Sequence, residues 1–257
     1  MKSLLSMEFG KVLRLGSVRF SLVLLVLFPV LWAYAPGIYK VYDFYLVSAF
    51  QVPALSLLSS MQFLLPLLVA ISAAELLGVE IANGTLQTVL LRPVSRSQWL
   101  LSKLLVVTVY PFAILAVFLV VSLLAGAPYG YGSFVGGTGL GQAGLLGQGT
   151  MGAGQAFVEV LRAYLVAGYS LVPVALLSML LTVVFMNAAG GALATLSVLI
   201  FMQLLVVFPS LTPYLLTTQL NAYAKPVSNL GWVAALIAVY AAAFAAASVV
   251  LFERKDF

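Results

Sequence analysis

The chain reads as an all-α membrane protein with six transmembrane helices, an N-terminal amphipathic interfacial helix, and a short cytoplasmic helix between spans two and three. Three observations predict this class. Of 257 residues, 63% are hydrophobic and only 7% charged, with a mean hydropathy of +1.16. Ordinary soluble domains run near ~45–50% apolar and ~25% charged. Uncharged apolar runs of about 20 residues recur, long enough to cross a hydrocarbon core of about 30 Å as helices. The few charges gather in short islands between those runs.

The first element is an interfacial helix within 1–19. Leu4, Leu5, Phe9, Val12 and Leu13 recur at helical spacing, with Glu8, Lys11 and Arg14 between them. Such a pattern lets one face sink into the headgroup boundary. The stretch is too long and mixed for a signal-peptide n-region, and Trp32, Tyr34 and Pro36 follow where a small-x-small cleavage site would lie, so it is read as retained. Six spans are predicted at 20–36, 54–74, 101–125, 163–186, 190–208 and 230–252. Pro29, Pro66, Pro111 and Pro173 fall inside them; each removes a backbone donor and predicts a kink or a repair by neighbours. Between spans three and four lies a Gly-rich loop, 126–156, read as flexible. Between spans five and six, 209–229 carries Pro209, Pro213 and Pro226.

Orientation follows from the Lys/Arg bias. With both termini inside, the cytoplasmic side holds Lys2, Lys11, Arg14, Arg19, Arg92, Arg96, Lys103, Arg254 and Lys255, and the outside holds Lys40, Arg162 and Lys225. The net charge of +5 is thus a topology signal and not a nucleic-acid footprint.

The region 75–100 is a polar island in this apolar chain. Glu75 to Val89 is predicted as a short helix interrupted at Asn83-Gly84. Pro93 breaks the chain, and Ser95 caps a second helix that runs into span three. Arg96, Trp99 and Lys103 then sit at the membrane interface as anchors.

Glu80, Gly84-Thr85, Leu90, Pro93-Val-Ser-Arg96 and Lys103 resemble the signature loop of ABC-2 type transporter permeases, which lies between the second and third of that family's six spans. The N-terminal segment, six spans and basic tail are similar in architecture. The resemblance implies a coupling helix docked on a separate ABC ATP-binding subunit, with Glu75, Glu80, Gly84, Thr85, Arg92, Pro93 and Arg96 as the coupling residues. On that view Glu75 and Glu80 pair with bases of the ATPase, Gly84 allows a tight turn, and Arg92 and Arg96 fix the loop to headgroups or partner. Many members carry a second acid just before the Gly-Thr pair; here Asn83 stands instead. The resemblance also implies a second permease copy or relative, a location in the cytoplasmic (inner) membrane, and a re-entrant 209–229 segment that caps the pathway.

Other chemistry is poorly supplied. The chain has no His and no Cys, which removes the commonest metal and general-base ligands. The loop 136–144 lacks the Gly-Lys-Ser/Thr ending of a phosphate-binding loop, so ATP, if used, is bound by a partner, and no catalytic, metal or cofactor site is predicted in the chain itself. No acid or base falls at midspan, which argues against ion-coupled carriers and for an amphipathic or lipid-like cargo. Glu159 and Arg162, at the outer end of span four, read either as a gate or substrate contact or as an i,i+3 ion pair. Gln62, Asn187, Gln203 and Gln219 are candidate polar cavity residues. The rival readings are a mechanical signalling subunit, an intramembrane enzyme, and a structural or assembly subunit of a larger membrane complex.

Overall fold

Polar side chains cap the starts of two helices, at Ser95 and Asn187, and prolines occupy the first turns of two others, at Pro53 and Pro66. In the computed structural model, which describes residues 2–35, 45–85, 95–141, 144–147, 149–226 and 229–255, α1 spans Lys2–Val12 and α2 Gly16–Tyr34. Helix α3 is Gln51–Ser60 and α4 is Leu64–Ala82. The long helices α5, Arg96–Gly126, and α6, Ala153–Phe185, follow. The series closes with α7, Ala188–Leu204, the short α8, Leu216–Gln219, and α9, Leu230–Glu253. Six of these helices are long and apolar enough to cross a membrane, so the chain is a multi-pass membrane protein.

The second span differs from the prediction of 54–74. The chain breaks at Met61–Phe63, and the spanning helix is α4, which runs on through Glu75 and Glu80 to Ala82. Pro66 explains the break. It has no N–H to give residue 62, and a helix's first turn, where α4 places it, is the position at which that missing donor costs least. The predicted separate helix 75–89 is therefore, over its described part, the last turns of a span. Pro29, Pro111 and Pro173 do lie inside helices.

Helix α6 is the hub, packing against α4, α5, α7 and α9. Of its most apolar stretch 72% is buried, against 17% for α9 and 22% for α7. The inner helices α4, α5 and α6 thus form a core that α2, α7 and α9 cover on one side each, leaving apolar outer faces such as Leu193, Ile200 and Phe201 for lipid. Helix α3 is buried almost throughout, between α2, α5 and α6. At about 1.5 Å per residue the 33 residues of α6 reach about 50 Å, longer than a hydrocarbon core of about 30 Å requires.

The Gly-rich loop is more ordered than its composition suggests. Strands β1, Phe134–Val135, and β2, Thr150–Met151, pair antiparallel. Gln51 Oε1 accepts from Val47 N at 2.9 Å, while its Nε2 donates to the Gly137 carbonyl at 3.2 Å. Thr138 and Leu140 are buried. The loop's own backbone bonds and these anchors replace the expected flexible linker. The segment after α7 also folds back: Leu216, Leu220, Ala222 and Tyr223 are buried, and the turn Ala222–Ala224 packs on α6.

Candidate functional site

The end of the bundle where α1, the C-terminus of α4, the N-terminus of α5 and the end of α9 meet holds four charges in contact. Lys103 Nζ lies 2.8 Å from Glu8 Oε2 and 3.0 Å from Glu80 Oε1. Lys11 Nζ lies 2.6 Å from Glu8 Oε1 and 2.7 Å from Glu80 Oε1. The Lys103 side chain is wholly buried and that of Glu8 nearly so. Two acids and two bases give a neutral cluster, the condition under which charge can sit out of water.

Each member is placed for a physical reason. Lys103 stands in the third turn of α5, among Leu100, Leu101 and Leu104. Its ammonium also donates to the Leu76 carbonyl at 3.1 Å and lies 4.9 Å from the Trp99 ring centroid, within cation–π range. Trp99 in turn stacks on Phe252 at 5.4 Å, which ties α9 to the cluster. Glu80 is buried, and its Oε2 finds no hydrogen-bond partner among the described residues. Burial works against charge on Glu8, but Lys103 and Lys11 outweigh it and hold its carboxyl below the usual 4.5. For Lys11 desolvation pulls downward, and the bonds to Glu8 and Glu80 more than reverse it, so its ammonium is held above 10.5.

This changes the picture of α1. Its charged Glu8 and Lys11 face the bundle, while Phe9 and Leu13 are exposed and Val12 is buried. The polar side of the helix is turned inward because it has partners there; the side chains of Leu4 and Leu5 lie outside the described residues. Beside it, between α1, α2 and α5, runs an apolar groove of about 260 Å³ lined by Phe9, Val12, Leu13, Leu22, Tyr110 and Ile114.

The predicted coupling residues are brought together only in part. Glu75 Oε2 accepts from the Ser17 backbone N–H at 2.9 Å. Helix α2 begins after Leu15, which has no capping side chain, so Glu75 supplies the acceptor that its N-terminus lacks. Both acids expected to meet a partner's bases are thus engaged within the chain, buried Glu80 by Lys103 and Lys11 and partly exposed Glu75 by the start of α2. Gly84 adopts φ +65°, the left-handed region that favours glycine, as α4 ends. Thr85 Oγ1 donates to the Glu80 carbonyl at 3.2 Å. Ser95 caps α5, accepting from Gln98 N at 3.2 Å as predicted. Arg96 donates to the Lys255 carbonyl at 3.0 Å, and Lys255 Nζ to the Val184 carbonyl at 2.8 Å, closing the end of α9 over α5 and α6. Arg92 and Pro93 lie outside the described residues.

Sequence reasoning missed Glu8, Lys11 and Lys103 as one unit. The signal was present: a lysine inside Leu100-Leu-Ser-Lys103-Leu-Leu cannot be buried without an acid, and Glu8 with Lys11 was the nearest unexplained pair. Of the polar cavity candidates, Gln62 and Gln203 are exposed. Asn187 caps α7 through Ala189 N at 2.8 Å, and buried Gln219 donates to the Pro213 carbonyl at 2.6 Å.

The family described as Protein of unknown function (DUF2705) matches residues 17–257, nearly the whole chain. No curated protein matches it. The chain belongs to the DUF2705 family.

Proposed function

We propose that this DUF2705 member is the membrane-spanning permease subunit of an ATP-driven transporter of the ABC-2 type. On this reading it is multi-pass in the cytoplasmic membrane with both termini cytoplasmic, and it exports an amphipathic or lipid-like cargo. A separate ABC subunit binds and hydrolyses ATP; this chain does no chemistry. A second copy or a relative completes the pathway, and the 209–229 segment caps it from outside.

The observation that carries the reading is the ion cluster beside the signature loop. The loop leaves the bundle from the end of α4 and returns at the start of α5. At that root Glu80, Lys103, Glu8 and Lys11 tie α4, α5 and α1 together. A push on the loop would move three helices as one body, with α9 following through Trp99 and Phe252. Glu75 and Glu80 then serve by bracing the loop's root, and the exposed residues Asn83, Gly84 and Thr85 offer the contact surface. The apolar groove between α1, α2 and α5 suits an acyl chain better than a hydrated solute, which agrees with the cargo class.

The test is purification from native membranes under gentle detergent and lipid conditions, with ATPase activity assayed on the eluate. A parallel sample carries Asn83→Trp with Thr85→Trp, both at exposed positions. An ATP-binding subunit that co-purifies with the unaltered chain, and is lost from a folded variant, is the expected result. If no ATPase accompanies the unaltered chain, the transporter reading loses its motor and a structural or assembly role in a larger membrane complex replaces it.

A further inference from the structure

At the other end of the bundle, charge is arranged in the opposite way. Where the Gly-rich loop, the N-terminal part of α6 and the segment after α8 converge, a pocket of about 240 Å³ is lined by Leu140, Gly141, Glu159, Arg162, Lys225 and Pro226. Glu159 and Arg162 do not form the i,i+3 ion pair that their spacing allows. Glu159 Oε2 accepts from Thr138 Oγ1 at 2.5 Å, and its carboxylate lies against Gly141. That bond turns the acid toward the loop. Arg162, itself only partly exposed, makes no hydrogen bond or ion pair with any described residue. Lys225 is also partly buried, and among the described residues its sole side-chain bond is to a neutral group, Gln219 Oε1, at 2.9 Å.

We propose that this pocket is a binding site for a phosphate group of net negative charge, one without the tethered counter-cation that phosphatidylcholine carries, held by the Arg162 guanidinium and the Lys225 ammonium. Two bases against one acid leave the lining one positive charge in excess, which a monoanion neutralises. A guanidinium with its fork unused is matched to two oxygens on one phosphorus. Burial pulls the Lys225 ammonium below its usual range, and a bound anion would reverse that pull. The position also suits a headgroup: the pocket lies beside the start of α6, a membrane-spanning helix, and its lining carries three charged side chains, which favour the interface over hydrocarbon. The same phosphate chemistry arises from an anionic lipid or from a soluble phosphate, and the inference stands whether or not an ATPase drives the chain.

The test uses the full chain in nanodiscs of phosphatidylcholine alone, of phosphatidylcholine with phosphatidylglycerol, and of phosphatidylcholine with added inorganic phosphate. Lys225 is labelled with an amine-reactive reagent, and its rate is read by peptide mass spectrometry relative to Lys255 at the far end of the bundle. Phosphatidylglycerol should slow Lys225 labelling about tenfold, the scale of one charge-assisted hydrogen bond. Arg162→Gln should remove that protection, read as the ratio of the variant's own rates with and without phosphatidylglycerol. Protection by phosphatidylglycerol only assigns the site to a lipid headgroup; protection by inorganic phosphate as well assigns it to phosphate from either source. Equal labelling of the unaltered chain in all three conditions overturns the proposal, as does protection that survives Arg162→Gln.

Discussion

The two ends of this molecule handle charge in opposite ways. At the α1 end two acids and two bases are folded into contact, one of the bases wholly buried, and the cluster is neutral. At the Gly-loop end Thr138 takes the acid of a would-be pair, leaving Arg162 beside Lys225 with no ion pair among the described residues. A neutral cluster has nothing left to offer a ligand, so its use is mechanical: it fixes helices to one another. An uncompensated pair of bases adds nothing to rigidity and keeps its capacity to bind.

The sharpest way to break this contrast is to remove one member of the neutral cluster. Lys103→Met leaves Glu8 and Glu80 buried together without their deepest counter-charge, which costs about 3–5 kcal/mol when a buried pair is broken from one side. We expect a large fall in unfolding temperature in detergent, with α1 becoming accessible to protease. Adding Glu8→Gln and Glu80→Gln to Lys103→Met should return much of the stability, since no unpaired buried acid then remains. A triple variant as unstable as the single one would show that the cluster acts by packing and not by charge.

Acid supplies the same cut without mutation. The Glu8 carboxyl is held below its usual value of 4.5 by Lys103 and Lys11, so its contribution is complete above that value and is lost as pH falls through its lowered one. Lys11 is held above 10.5, so its contribution is complete below that value and is lost as pH rises through its raised one. Protease release of α1 should therefore be flat across neutral pH and rise at both extremes. In Glu8→Gln the acid limb that Glu8 supplies should disappear. A release profile in the unaltered chain that bends near pH 7 would contradict the assignment.

What the sequence disclosed, and what it hid, divides along the same line. Hydropathy over about 20 residues marked all six spans, because lipid demands continuous apolar surface. Ser95 declared itself as a cap by standing before a long apolar run. The second span was misplaced because Ala54–Ala74 is apolar on both sides of the break, and only Pro66 shows where the helix must begin again. The partners of Glu75 and Glu80 were hidden for another reason. Ser17, Glu8 and Lys11 are 58 to 95 residues away along the chain from the groups they meet, and local spacing carries no record of such contacts. Near in sequence, Glu159 and Arg162 look like an ion pair; only the folded loop shows that Thr138 has taken the acid.

A smaller effect separates Glu75 from the cluster it adjoins. Its carboxylate caps α2 through the Ser17 N–H and is partly exposed. Glu75→Ala should cost about 1 kcal/mol, the usual worth of a lost cap, measured by denaturant unfolding in mixed micelles. Glu75→Gln keeps an acceptor oxygen and should recover most of that loss. A Glu75→Ala cost matching that of Lys103→Met would place Glu75 inside the ion network and redraw the α1 end as a five-membered cluster.

The smallest stability effect is expected where the functional effect is expected to be specific. Arg162 makes no described bond that its loss could break, so Arg162→Gln should change unfolding free energy by less than about 0.5 kcal/mol. Removing a base from a pocket that holds an unneutralised positive charge relieves repulsion on Lys225 as much as it removes packing. The variant should even gain slightly in phosphatidylcholine alone and lose that advantage when phosphatidylglycerol is present, because only the unaltered pocket is stabilised by binding. A lipid-dependent crossover in the unfolding temperatures of two otherwise equal proteins would set the Gly-loop end apart from the α1 end, where no choice of lipid should rescue Lys103→Met.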